Sequence, residues 1–385
     1  MARRDLCNDA SSVASSSTSF SDADEATERP HSPTSLFEDS LFTLFSHNQP
    51  AHGDPGDTCK YSHRNLPPRY VSSSGRTTTL RYKIAHNSGT NTKLFAHYQW
   101  DAGLYLADLI AEHSSGCLAP EVARAKQAEG NFVDVRSKTV VELGAGTGLP
   151  GLVACVMGAK KTVITDYPDP DVIHNLECNL DLALVRSSRG KKRELHPYYV
   201  EARERVQVLG MGWGNENEEL HVLHASSSAS SLSLAQGYDL ILAADVLWVS
   251  SSHPLLIHSI RRLLKRDRDA RCVLVAGFHT GRPAVRRFFV QLAQAANEMD
   301  KSLDEERKAS IIPDWQEKHF GGIWERNIDG SQRAWSSASV PCKTDYKSEI
   351  FTDNAEEQSA EEEMGDISDR GSWVVVASLR WADLD

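Results

Sequence analysis

The chain has 385 residues, 40% of them hydrophobic and 25% charged, and its 53 acidic against 42 basic residues give a net charge of −11. That length suits one large globular domain with additions, or two small domains. The acidic balance argues against sequence-independent nucleic-acid binding, which needs a Lys/Arg surface to displace counterions, and suits a basic protein partner.

Residues 1–66 are rich in Ser, Pro, Asp and His, a composition that predicts a disordered tail. Within it, Leu36–Phe45 is the apolar patch best suited to docking on the domain or on a partner. Arg3 and Arg4 are followed by no apolar h-region, so a secretory signal is not expected. From residue 67 to residue 385 the pattern is that of a folded domain. RYVSSSGRTTTLRYKIA (69–85) reads as two short strands around a turn at Gly75. LFAHYQWDAGLYLADLIAEH (94–113) places Trp100, Leu104, Ala107, Ile110 and Ala111 at helical spacing and predicts an amphipathic helix.

Short apolar strands then alternate with helices. TVVEL (139–143), TVITD (162–166), RVQVLGMGW (205–213), YDLILAADVLW (238–248) and RCVLVAGF (271–278) are the strands, and SWVVVASLRWA (372–382) closes the series. Helices are expected in GLPGLVACVMGA, DVIHNLECNLDLAL, HPLLIHSIRRLLK and PAVRRFFVQLAQAANEM. Continuous apolar strands alternating with helices predict an α/β fold with a mostly parallel sheet covered on both faces. Three polar insertions, near 186–203, 224–237 and 353–371, are expected as surface loops. The seven cysteines, Cys7, Cys59, Cys117, Cys155, Cys178, Cys272 and Cys342, show no CxxC spacing. Neither a metal site nor a disulfide framework is indicated. No apolar run approaches the roughly 18–20 residues of a membrane span. A soluble monomer of the cytoplasm is expected, with the nucleus also open to it.

VVELGAGTGLPG sets Gly144, Gly146 and Gly148 directly after a strand, where glycines let the backbone turn sharply and approach a ligand. Two ligands compete for such a turn. Gly146-x-Gly148-x-x-Gly151 with Asp166 twenty residues on satisfies the dinucleotide fingerprint, so a nicotinamide dehydrogenase is one reading. However, Glu142 lies two positions before the first glycine, and a carboxylate there repels a pyrophosphate. It suits a ligand that carries an ammonium group and no phosphate, a description S-adenosylmethionine meets; alternatively Glu142 only accepts hydrogen bonds from the turn. Asp166, at a strand's carboxyl end, is placed to accept hydrogen bonds from ribose hydroxyls. Asp169 as N-cap, Pro170 at N1 and Asp171 in the first turn form a helix start, and Pro168 stiffens the approach. YPDP thus reads as a rigid wall fixing Asp166 and Tyr167.

ELGAGTGLPGL followed by VITDYPDPDVIHNL resembles the seven-stranded S-adenosylmethionine-dependent methyltransferases, and within them the family-16 protein-lysine methyltransferases. Within that family it resembles the fungal group described either as nicotinamide N-methyltransferase-like or as the N-terminal and lysine methyltransferase of translation elongation factor 1-alpha. LFAHYQWDAG, MGWG, YDLILAADVLW, FHTGRP and SLRW support the resemblance, which spans about residues 70–385 with gaps. It implies a Rossmann-like seven-stranded sheet whose last strand is antiparallel. It implies further that Trp100 stands over the methionine end of S-adenosyl-L-methionine and that Glu142, Gly144, Ala145 and Gly146 line its amino-acid part. By the same likeness Asp166 holds the ribose, Trp213 flanks the adenine and Ala244 completes the pocket, with Tyr167 of the YPDP wall as a further cofactor-binding candidate. On residue type alone, Trp100 and Trp213 suit a core equally well.

Asp245 stands where this family has Asp-x-x-Tyr, with Trp248 in place of the tyrosine. FHTGRP departs from a His-His-Arg-Pro pattern and keeps His279, Arg282 and Pro283. Asp245, Trp248 and His279 are therefore the candidates for the acceptor side. Three function classes remain open on sequence. The first is an N-methyltransferase of a basic protein, with lysine or an N-terminal amine as acceptor and elongation factor 1-alpha as the implied substrate. The second is a small-molecule, nicotinamide-type N-methyltransferase, and the third a cofactor-binding interaction module without catalysis.

Overall fold

The apolar runs from Thr139 onward build a sheet with helices on both faces. The computed structural model describes residues 52–70, 78–114, 133–184, 195–226, 237–278, 281–294, 303–314, 322–335 and 371–384. All of these lie in one unit, Asn48–Asp385. Strands β1 (Thr58–His63) and β2 (Thr78–Lys83) form an antiparallel pair of their own. The main sheet contains β3 (Thr139–Leu143), β4 (Lys161–Asp166), β5 (Val206–Gly210), β6 (Leu240–Ala244), β7 (Arg271–Gly277), β8 (Ile311–Pro313), β9 (Ile323–Asn327), β10 (Gln332–Ala334) and β11 (Trp373–Trp381). Its order is β10-β9-β11-β7-β6-β3-β4-β5, with β8 paired to β11.

From β5 to β7 the strands are parallel, and β11 enters antiparallel beside β7, as the resemblance implies. The count differs: among the described residues nine strands stand in the sheet, because β8 and β10 add short pairings outside a seven-stranded core. The chain leaves β3 toward β4 and β5 and then returns to β6 on the other side. The carboxyl ends of β3 and β6 thus flank a topological switch point, the usual crevice for a ligand in an open α/β sheet.

Among the described residues, seven helices of at least eight residues carry the faces: α1 (Asp101–His113), α2 (Leu149–Val156), α3 (Pro170–Leu184), α4 (Pro197–Glu204), α5 (Glu216–Ser226), α6 (His253–Leu263) and α7 (Arg282–Ala293). The period-two alternation of strand side chains divides the core between them. Val140, Leu240, Leu242, Val273 and Val275 face the side of α1 and α2. Val141, Leu143, Ile241, Ala243, Cys272 and Leu274 face the side of α6 and α7.

Four expectations need correction. The tail predicted for residues 1–66 is interrupted, since β1 forms within it; its pattern is mixed and only Tyr61 of the strand is buried, so composition hides it. β2 pairs with β1 and not with a strand across Gly75, and residues 71–77 lie outside the described set. The helix expected from Leu94 begins at Asp101, because Trp100 is extended at its N-cap and Phe95 has φ 53°. Of the polar insertion near 186–203, the part from Pro197 is helical: His196 caps α4 by accepting from the Tyr198 amide, and Pro197 takes N1. Residues 1–51 and the insertion segments at 185–194, 227–236 and 353–370 lie outside the described residues.

Candidate functional site

Turns after β3, β4, β5 and β6 meet at one edge of the sheet. After β3 the chain passes through Gly144 and Gly146 with φ of 60° and 56°, a region that favours glycine. A Cβ on Gly146 would meet nothing within 4 Å, so the turn borders open space at that residue. A Cβ on Gly144 would lie 2.9 Å from Val246 Cγ1 and 3.2 Å from Trp213 Cζ2. Trp213, half-buried after β5, therefore stands directly against the glycine turn.

The turn is fastened from three directions. Asp166, at the end of β4, accepts from the Gly146 amide at 2.7 Å and from the Tyr167 amide at 2.7 Å. Thr147 donates its hydroxyl to Gln99 Oε1 at 2.6 Å, and the Gln99 amide donates to the Trp100 carbonyl at 3.0 Å. Asn179 of α3 donates to the Thr147 carbonyl at 2.9 Å and grips both the amide and the carbonyl of Lys83 in β2. Nothing in local sequence pattern marks Gln99, Thr147 or Asn179. Their partners are remote in the chain, and each reads as an ordinary polar residue.

Two carboxylates stand beneath the turn. Glu142 is buried; Oε2 accepts from the Gly151 amide at 2.9 Å, while Oε1 has no hydrogen-bond partner among the described residues. Burial pushes its pKa up to about 8, the Gly151 amide pulls it down, and the charge of Asp166 raises it further. Burial also raises Asp166, against the pull of the Gly146 and Tyr167 amides. Both carboxyls thus sit where a cation is welcome. The YPDP segment behaves as its residues predict: Asp169 Oδ1 accepts from the Asp171 amide, Oδ2 accepts from the Thr90 hydroxyl, and α3 starts at Pro170. Tyr167 next to Asp166 is 52% exposed.

On the other side of the switch point, Ala244 ends β6 and Asp245 follows with φ 57°, a left-handed conformation that Asp tolerates better than most residues. Asp245 is buried, and its Oδ1 accepts from the Gly277 amide at 3.0 Å. Trp248 lies three residues on, and its ring meets Phe95 edge-on with centroids 4.7 Å apart. An aromatic series continues from Phe95 through His97 and Tyr98 to Trp100. Trp100 is the N-cap of α1 and is not on its buried face. Phe95 is a further member of this wall that sequence pattern did not single out. His279 lies outside the described residues, and the adjoining Arg282 is paired with buried Glu325.

The residues fit a ligand with a cationic amino-acid end and a nucleoside. Gly146 leaves room for it, the buried Glu142 Oε1 lacks a partner among the described residues, Asp166 offers a carboxylate, and Trp213 offers a flat wall.

A family model described as lysine methyltransferase matches residues 83–295. Among curated proteins, the protein N-terminal and lysine N-methyltransferase of Emericella nidulans is 27% identical over 229 residues, covering 58% of this chain and 73% of the relative. Its counterpart in Gibberella zeae is 30% identical over 218 residues, covering 56% and 68%. The one in Yarrowia lipolytica is 34% identical over 172 residues, covering 44% and 53%. Among solved structures, a ribosomal protein L11 methylase from Lactobacillus delbrueckii subsp. bulgaricus matches at 15% identity with a TM-score of 0.24, covering 49% of this chain and 68% of that one.

Proposed function

The chain belongs to the lysine methyltransferase family, and we propose that it methylates a protein amine, a lysine side chain or an N-terminal amine, with S-adenosylmethionine as methyl donor. The observation that carries this is the coincidence of the family match, residues 83–295, with the ring of turns holding Gly146, Asp166, Trp213 and Asp245. The acidic chain suits a basic substrate, and the resemblance favours translation elongation factor 1-alpha. We infer further that the enzyme works as a monomer in the cytoplasm.

When bound, S-adenosylmethionine supplies a methyl carbon on a sulfonium that is displaced in line by the acceptor nitrogen. The chain's own residues align the acceptor and exclude water. Glu142 and Asp166 favour the cationic and hydroxyl-bearing parts of the donor, while Gly144 and Gly146 keep side-chain atoms away from it. Trp213, beside Gly144, would flank the nucleoside. Trp248, with Phe95 against it, offers an aromatic face to an ammonium at the acceptor side.

The acceptor must be neutral. A lysine with pKa about 10.4 is unprotonated roughly once in 2,500 molecules at pH 7, a penalty of about 4.6 kcal/mol. An N-terminal amine with pKa about 7.8 is neutral roughly one time in seven, a penalty of about 1 kcal/mol. Asp245, held by Gly277, is the carboxylate placed to orient the amine and accept its hydrogen bonds.

The test incubates purified protein and radiolabelled S-adenosylmethionine with a lysate from cells lacking the gene, then separates proteins from small molecules. Label in one protein band supports the reading, and peptide mapping assigns lysine or N-terminus. Label confined to small molecules would replace it with a nicotinamide-type activity. Cofactor binding without label in either fraction would replace it with a non-catalytic role.

A further inference from the structure

Trp213 stands between two glycines whose amides are both held by glutamates. The Gly212 amide donates to Glu218 Oε2 at 2.6 Å, and the Gly214 amide donates to Glu219 Oε1 at 3.0 Å. Glu218 is partly exposed in the first turn of α5, but its neighbour Glu219 is wholly buried. A carboxylate removed from water is costly unless it is surrounded by donors and positive charge. Glu219 has both. Ser259 donates its hydroxyl to Oε1 at 2.6 Å, and Oε2 lies 3.3 Å from His258 Nε2 and 3.4 Å from Arg262 Nε. The Gly214 amide also reaches Ser259 Oγ at 3.0 Å.

His258, Ser259 and Arg262 all belong to α6, the helix that follows Asp245 and Trp248 in the chain. Glu219 therefore ties α6 to the turn that carries Trp213, and Trp213 in turn rests against Gly144. Without this carboxylate the Gly214 amide keeps the Ser259 hydroxyl alone among its described partners, and α6 loses its Oε1 and Oε2 contacts to the turn.

We propose that Glu219 is a positioning residue that sets affinity for the methyl donor by holding Trp213 against the glycine turn; this rests on the methyltransferase reading above. It touches neither donor nor acceptor in this role. Its removal changes how well the nucleoside pocket is pre-formed, not the alignment of the reacting atoms at Asp245.

The experiment compares the full-length wild type with Glu219→Ala and Glu219→Gln. Donor binding is measured by calorimetry, kcat at saturating donor by methyl transfer, and amide exchange at 211–215 by mass spectrometry without donor. Glu219→Ala is expected to weaken donor binding at least tenfold and to speed exchange at 212–214, with kcat falling less than twofold. Glu219→Gln keeps an acceptor for Gly214 and Ser259 and is expected between wild type and Glu219→Ala. If Glu219→Ala does not fold, Glu219→Gln carries the same comparison. A folded variant with wild-type affinity overturns the proposal, as does one whose kcat falls in proportion to its affinity. A wild type that fails to bind the donor overturns the methyltransferase reading itself, and with it the donor role of Glu219. A wild type that binds, beside a variant that binds equally well, overturns the role of Glu219 alone.

Discussion

The Gly146 amide donates to Asp166 Oδ2 at 2.7 Å, so the glycine turn after β3 and the end of β4 are joined before any ligand arrives. The carboxylate spends one lone pair of each oxygen on a backbone amide, Gly146 or Tyr167, and retains others for hydroxyl donors. Asp166 thereby sets the shape of the turn while keeping acceptor capacity unused by these two amides. Asp166→Ala should weaken S-adenosylmethionine binding by about 10- to 100-fold, the size of a lost charge-assisted hydrogen bond of about 1.5–3 kcal/mol. Calorimetric titration reads this directly, and Asp166→Asn, which keeps acceptor capacity, should lose less.

Gly146 and Gly151 separate affinity from stability. A methyl group on Gly146 enters open space, but its φ of 56° disfavours any other residue by about 1–2 kcal/mol. Gly146→Ala should therefore lose donor affinity with a modest drop in melting temperature. A Cβ on Gly151 would come within 2.5 Å of Glu142 Oε2 and 2.7 Å of Ile164 Cγ1. Gly151→Ala should lose about 1–3 kcal/mol by overpacking, visible as a lowered denaturation midpoint.

Asp245 is expected to govern transfer. Asp245→Ala should reduce kcat by more than about a hundredfold, in the range of lost acid–base or orienting groups, while donor affinity stays near wild type. The variant also leaves the Gly277 amide without Oδ1 and replaces a residue that tolerates φ 57°. Asp245→Asn keeps that hydrogen bond and the left-handed conformation, so it isolates the carboxylate's charge. A large loss of donor affinity in Asp245→Asn would move this residue from the acceptor side to the donor pocket.

Glu142 gives a pH dependence with a defined sign. Its folded-state pKa is raised from 4.5 to about 8 by burial, so the folded protein holds a proton that the unfolded chain releases earlier. Stability of the ligand-free protein should fall as pH rises through that interval. Glu142→Gln should remove this part of the slope, and melting temperatures of the two proteins between pH 5 and about 8.5 measure it. A bound cation next to Glu142 lowers its pKa, so donor binding should release protons near neutral pH. Titrations in buffers of different ionisation enthalpy detect that release.

Much of this arrangement is legible in the chain because it depends on short-range pattern. β3 coincides with TVVEL, β4 ends on Asp166, and the Asp169–Pro170 helix start lies where capping chemistry places it. Such features need only strand alternation, a glycine's φ and a side chain reaching two residues ahead. What stays hidden depends on distant partners. Gln99 and Thr147 are 48 positions apart, and Lys83 and Asn179 are 96 apart. Glu219 and Ser259 meet across 40 positions, inside a helix whose acidic first turn reads as a solvated face. β1 escapes notice because its polar composition is that of the tail around it, and only pairing with β2 makes it a strand. The β9–β10 ribbon lies between undescribed segments and carries Glu325, whose two arginine partners become visible only in the fold.

The position of β11 bears on how the molecule is made. This strand is inserted between β7 and β9, so β9 and β10 have no link to the parallel strands of the sheet until Trp373–Trp381 has been synthesised. During translation β7 presents an open, apolar edge, the kind of surface that pairs with the wrong strand. The turns after β3 and β4 are made long before that link is in place. The last strand to be made is therefore the one that joins β9 and β10 to the rest of the sheet.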